Sequence, residues 1–151
     1  MKNKCLSQFY PIDRITAVLI FLFMFSINSY SQTPENIISE GLPVIVSSAG
    51  QGTDPFMGND GNAGTRWGAI NDNYPQTYTI DLGNECTISK TIIEWYKAEG
   101  RAYRSLIESS LDGVKYTQIA DNTASTSFGY TTNTMNAKGR YVRVNVTGST
   151  G

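Results

Sequence analysis

Between Asn59 and Trp67 the chain reads NDGNAGTRW, which sets a carboxylate at Asp60, an amide at Asn62 and a hydroxyl at Thr65, with glycines between them. A hard divalent cation such as calcium takes roughly six to eight oxygen ligands of these kinds, and glycines let the backbone curl around it. An EF-hand is excluded, because the twelfth position counted from Asp60 is Asn71, where that loop requires a bidentate glutamate. A plain polar turn is spelled with the same residues, and spacing alone favours that reading over a cation site.

Few other residues are equipped for chemistry. The chain has no histidine, which removes the commonest general base, the commonest zinc ligand and the Ser-His and Cys-His pairs. Asp81 and Glu108 invite pairing as the two carboxylates of a glycoside hydrolase, a mechanism that depends on their separation. Asp81 is expected at a strand end and Glu108 on a solvated face, so the chain itself is read as non-catalytic.

The elements that must position these groups are strands. Short runs rich in Val, Ile, Thr and Tyr alternate with Gly, Asn and Asp clusters, an all-β pattern without helical periodicity. Strands are expected at 43–48, 77–82, 89–96, 104–109, 115–120, 127–132 and 140–147. Tyr78, Ile80 and Leu82 share one side of their strand, and Val142, Val144 and Val146 share one side of another with Arg143 and Asn145 opposite, so each strand should have one wet face. Leu111-Asp112-Gly113 signals a hairpin. Two packed antiparallel sheets fit best.

Residues 1–31 are set apart. Lys2, Lys4 and Arg14 precede the apolar run Ile15 to Ile27, which ends at Ser29-Tyr30-Ser31, the form of a secretory leader and shorter than a membrane span. Export to the periplasm, the cell surface or the medium is expected, with residues 32–151 as one domain. Cys5 lies ahead of the apolar run, which argues against a lipid anchor, and Cys86 alone is left behind it, so no internal disulfide can form. The net charge is −1 at pH 7, and nothing in it attracts nucleic acid.

The blocks PVIVSSAG, NDGNAGTRW, YTIDLG, IIEWYKAEGRAYRSLIESSLDGVKY, IADNT and GRYVRVNVTG occur in the order seen in F5/8 type C (discoidin-like) domains, and over about residues 36–151 the chain most resembles bacterial carbohydrate-binding modules of family 32. The resemblance implies a β-sandwich jelly roll and a structural calcium held by Asp60, Asn62 and Thr65, with the main-chain carbonyl of Met57 as a further ligand. Members close with a strand that carries a Glu ligand, whereas this sequence ends at Gly148-Ser149-Thr150-Gly151, so an incomplete domain and weak calcium binding are expected.

The same resemblance implies a ligand face on loops at one end of the sandwich, where aromatic rings and planar amide or guanidinium donors meet a sugar. The candidates are Asn71, Asn73, Tyr74, Arg101, Tyr103, Phe128 and Tyr130, with Arg101 and Phe128 foremost. The histidine of galactose-binding relatives has no counterpart, so a galactose preference does not carry over. The implied partner is a glycan, the implied setting a larger protein with a catalytic domain attached, and the alternative a cell-surface adhesion or protein-interaction module. Polar and aromatic loop tips argue against membrane insertion. Trp67 and Trp95 are expected in the core, Arg104 beside a carboxylate, and the acceptor triplet Asn145-Val146-Thr147 is a chance match within a strand.

Overall fold

A computed structural model of the chain describes residues 36–97 and 99–150. The expected leader over 1–31 and the segment up to residue 35 lie outside the described residues, as does Gly151. The described part is all-β: β1 (Val44–Val46), a 3-10 turn (Pro55–Gly58), β2 (Gln76–Glu94), β3 (Tyr103–Ser110), β4 (Thr117–Asp121) and β5 (Tyr130–Ser149). Every pairing is antiparallel, in the order β1-β2-β5-β3-β4. No helix among the described residues is long and apolar enough to cross a membrane.

Seven strands were expected and five are found, because two pairs of expected strands are continuous. The expected strands 77–82 and 89–96 are parts of β2, and 127–132 and 140–147 are parts of β5. Residues 76–81 pair with 141–146 and residues 86–94 with 130–139, with register shifts between Asp81 and Cys86 and between Ile88 and Lys90. Such irregularities bend a strand without ending it. β1 and the β3–β4 hairpin flank the first ladder, and the second ladder folds back over it as the other layer of a β-sandwich. Where the layers meet, Trp95 stacks on Tyr103 at 4.7 Å and 11°. The expected terminal loop is also corrected: Gly148 and Ser149 belong to β5 and pair with Arg104 and Tyr103.

The core lies on the face that carries Tyr78, Val146 and Ile107, all of them buried. Ser105 and Ser109 are buried in the same row, and their small size has a reason: a Cβ added to Gly139 of the second ladder would stand 3.0 Å from the Ser109 Cβ, so only small residues allow that approach. The opposite face is less wet than expected. Thr79 is buried on it, and Arg143 lies with its guanidinium 3.6 Å over the Tyr116 ring and its Nε 2.7 Å from Glu108. The hairpin at 111–113 is as expected, held by Asp112 Oδ1, which accepts from the backbone N–H of Val114 and Lys115, and by Ser110 Oγ, which accepts from Gly113.

Candidate functional site: the loop end of the sandwich

Because both long strands bend, their four ends return to one end of the sandwich. The first of these segments, 70–75, is pinned by Gln76. Its buried amide accepts from Ser47 Oγ and Ser48 Oγ at 2.5 and 2.8 Å and donates to the Asn73 carbonyl at 2.7 Å. Asn71 spends its side-chain oxygen inside this loop, accepting from the Asn73 N–H at 3.0 Å, while the Asn73 side chain is exposed. Tyr74 donates its phenol to Ser149 Oγ at 2.9 Å, which ties the loop to the end of β5. Of these three candidates Asn73 is the one whose side chain is not held by a neighbour among the described residues.

The second segment, 95–102, is anchored by Trp95, whose indole N–H donates to Thr131 Oγ1 at 2.6 Å and whose backbone N–H donates to the Gly129 carbonyl. Trp67 is pinned in the same manner, its indole N–H donating to the Ser48 carbonyl at 2.9 Å and its ring 5.2 Å from Tyr78. Both tryptophans are half-buried and serve as packed anchors. Arg101 sits with its guanidinium 5.9 Å from the Tyr103 ring, and a hydrogen bond to that phenol, with Asp72 nearby, raises its pKa above the usual arginine value. Ala102 and Thr150 exchange hydrogen bonds and close the segment against the end of β5.

The third segment carries Phe128, 56 % exposed, and Tyr130, 59 % exposed, on either side of the Gly129 that receives Trp95. A hydrogen bond to the Glu94 carboxylate raises the Tyr130 pKa. The structure thus gathers Tyr74, Arg101, Tyr103, Phe128 and Tyr130 at one end through Trp95, Thr131 and Ser149. Sequence reasoning missed two residues there: Tyr96, next to Trp95, has the Arg66 guanidinium 3.7 Å above its ring and the Lys97 ammonium at 5.7 Å. The signal was adjacency, since each flanks an anchored tryptophan. Lys97 itself holds φ 54, the left-handed region that a non-glycine residue adopts at a cost of about 1 kcal/mol.

The NDGNAGTRW loop hangs from the 3-10 turn. Asn59 donates to the Ser39 and Leu42 carbonyls, and the Tyr78 phenol donates to Pro55 O at 2.9 Å and lies 3.2 Å from Asn59 Oδ1. Burial, and then the charge of Asp60, push the Tyr78 pKa up, so the phenol remains a donor. Thr65 Oγ1 lies 2.8 Å from both Asp60 Oδ2 and the Asn62 carbonyl, with one proton to serve two acceptors. The Asn62 side-chain oxygen is turned the other way, accepting from the Gly64 N–H at 2.9 Å, so its main-chain oxygen is the one beside Thr65. Glu40, also missed by sequence reasoning, lies against the loop: a Cβ on Gly61 would stand 2.7 Å from its Oε1.

The carboxylates that tempted a catalytic reading are both engaged by arginine. Asp81 receives Arg140 Nε and Nη2, each at 2.8 Å, and these bonds, with one from the Gly83 N–H, lower its pKa to about 2. Glu108, expected on a solvated face, is instead largely covered, with 13 % of its side chain exposed beside Arg143. Arg104 is exposed and pairs with no carboxylate among the described residues, contrary to expectation, because its neighbour across the strands is Gly148. Asn145 is strand-paired on both sides and its side-chain oxygen is buried, in keeping with a chance acceptor triplet.

One family, described as F5/8 type C domain, matches residues 43–151 of the sequence. Among solved structures, the chain is similar to chitosan-binding module 2, in complex with chitotriose, from a chitosanase/glucanase of Paenibacillus sp. IK-5, at 23 % identity and a TM-score of 0.69 over 76 % of this chain and 90 % of that one. It is similar to the CBM32 of AlyQ in complex with 4,5-unsaturated mannuronic acid, at 24 % identity and a TM-score of 0.65 over 74 % and 86 % of the two chains. A third, CpGH89CBM32-4 of Clostridium perfringens in complex with glcNAc-alpha-1,4-galactose, has 18 % identity and a TM-score of 0.65 over 82 % and 87 %. No curated protein matches the chain.

Proposed function

The chain belongs to the F5/8 type C domain family, and from that premise we propose that it is a non-catalytic carbohydrate-binding module of an exported bacterial protein, joined in its parent to a glycan-active catalytic domain or serving as a surface glycan-binding protein. The observation that carries this reading is the anchored loop end, where the exposed rings of Tyr96, Phe128 and Tyr130 stand in the segments that also carry Arg101, and the Arg66 guanidinium reaches in from the preceding loop to lie over Tyr96. An aromatic face takes the C–H side of a sugar ring, and a guanidinium fork takes its oxygens. The printed ligands of the structural relatives are saccharides, which supports the same class. Its role is proximity, since it raises the effective concentration of a polysaccharide near whatever is joined to it.

A calcium ion in the 59–65 loop is part of the proposal. It is supported by the three oxygens of Asp60, Asn62 and Thr65 that share one hydroxyl proton, and by the Glu40 carboxylate beside Gly61. The Met57 carbonyl, on the 3-10 turn that leads into the loop, is the proposed main-chain ligand. The ion would supply charge and cross-bridging to the loop, with no part in any reaction.

Glycan-array screening of the chain, followed by calorimetry on the best hit, tests the glycan reading. Wild type should bind at least one class of glycan, weakly, and Arg101→Ala together with Phe128→Ala should weaken that binding at least tenfold. A blank array, or full binding by the double variant, would overturn it.

A further inference from the structure

We propose that Arg66, Tyr96 and Lys97 form an anion-reading subsite, so that the ligand of the loop end is an acidic saccharide bearing a carboxylate or a sulfate ester. This inference rests on the glycan-binding reading above and narrows it. The Arg66 guanidinium carbon lies over the Tyr96 ring, 3.7 Å from its centroid, and Tyr96 is 47 % exposed. Contact with the ring leaves the guanidinium's N–H donors available, and such a fork matches carboxylate or sulfate geometry. Lys97 brings a second positive charge to within 5.7 Å of the same ring.

What singles this pair out from the equally unpaired Arg104 is that both charges lie against one aromatic ring with no carboxylate to meet them among the described residues. Arg140 meets Asp81, Arg143 meets Glu108 and Lys138 meets Glu85 at 3.3 Å, whereas neither Arg66 nor Lys97 forms an ion pair among the described residues. Arg101 differs, since the field of Asp72 already acts on it. The geometry is also prepared in advance. Arg66 precedes Trp67, whose indole is pinned to Ser48, and Tyr96 follows Trp95, which is pinned to Thr131 and Gly129. Stacking limits the rotamers of Arg66 before any ligand arrives, so little freedom is lost on binding.

The test uses the whole chain with three probes: a short oligogalacturonate, the same oligosaccharide after carboxyl reduction, and a sulfated galactan oligosaccharide. Calorimetry should show the charged forms bound about tenfold more tightly than the reduced one, with the preference shrinking as salt rises. Arg66→Gln should collapse that ratio towards one. Lys138→Gln, which removes the same charge from a residue paired with Glu85 elsewhere, should leave the ratio intact. A preference for the uronate alone or the sulfate alone supports the subsite and identifies the source of its anion. Equal binding of charged and reduced forms, or a ratio that Arg66→Gln leaves unchanged, overturns the inference while leaving glycan binding in place. Binding of none of the three, with a blank glycan array, overturns both.

Discussion

Gly58→Ala is expected to destabilise the domain through a single clash. Gly58 closes the 3-10 turn, and a Cβ built on it stands 2.6 Å from the Tyr78 Oη and 2.7 Å from Cε2 and Cζ of the same ring, nearly 1 Å inside ordinary contact. The ring has little room to retreat: Tyr78 is 7 % exposed, packs 5.2 Å from Trp67, and is fixed at its tip by Pro55 O and Asn59 Oδ1. Overpacking of this kind costs about 1–3 kcal/mol, and loss of the phenol's hydrogen bond adds about 1 kcal/mol. Alanine stiffens the unfolded chain and returns about 0.5 kcal/mol. The net loss is then about 1.5–3.5 kcal/mol, a fall in Tm of roughly 5–15 °C for a domain of this size.

Urea denaturation of a double-mutant cycle isolates the cause. In a Tyr78→Leu background the ring is gone, so Gly58→Ala should cost almost nothing, giving a coupling of about 2 kcal/mol between the two sites. Tyr78→Phe should relieve little, because ring carbons remain at 2.7 Å. Equal cost of Gly58→Ala in both backgrounds would refute the reasoning.

Two further outcomes are expected. About 5 mM calcium should stabilise wild type by about 1–2 kcal/mol, as for a loop of modest affinity, and thermal melts with calcium and with chelator should coincide in Asp60→Ala; a calcium response that survives Asp60→Ala would remove the ion from this loop. The Asp81 pKa is lowered to about 2 by Arg140, so its stabilising effect is complete above the ordinary value near 3.8 and is lost as pH falls towards 2. Arg140→Gln should raise that pKa in an NMR titration and flatten the acid limb of the stability curve between pH 4 and 2; an unmoved titration would mean that the Gly83 N–H alone holds the carboxylate.

The parts of this fold legible in the sequence are those set by neighbours in the chain. Two-residue alternation marked Tyr78, Val142, Val144 and Val146 as inward, and Leu111-Asp112-Gly113 spelled the β3–β4 turn, because the bonds that hold it span three residues or fewer. Strand ends were misread where contacts between distant residues override local punctuation. Gly83-Asn84-Glu85 looks like a loop, yet β2 runs through it, bending at a register shift as its ladder with β5 resumes at Cys86 and Gly139. The same limit hid part of the site: the Arg66–Tyr96 stack joins residues thirty positions apart, and Glu40 reaches Gly61 across a chain reversal. Spacing raises Asp60 and Thr65 but favours a plain turn until family resemblance is added, and Arg101 and Phe128 come from the resemblance alone, which carries three-dimensional information that spacing does not.

The bend that defeated strand prediction also explains why one end of this sandwich can hold a ligand. A straight hairpin would put the two ends of β2 at opposite poles, some 60 Å apart for a strand of this length at about 3.3 Å per residue. Folded over at Asp81 to Lys90, β2 brings residues 70–75 and 95–102 to the same pole, and β5 does likewise with 122–129 and its own terminus. Tyr74 to Ser149, Ala102 to Thr150 and Trp95 to Gly129 then cross-link those segments pairwise. Three short loops and the end of β5 thereby gain rigidity from two ladders and three cross-links. If that is the source of the rigidity, Tyr74→Phe, which breaks one link and adds no bulk, should speed amide exchange in 70–75 and at 148–150 together while leaving the β3–β4 turn unchanged. Faster exchange in 70–75 alone would mean that the segments are ordered independently and that the shared pole is only proximity.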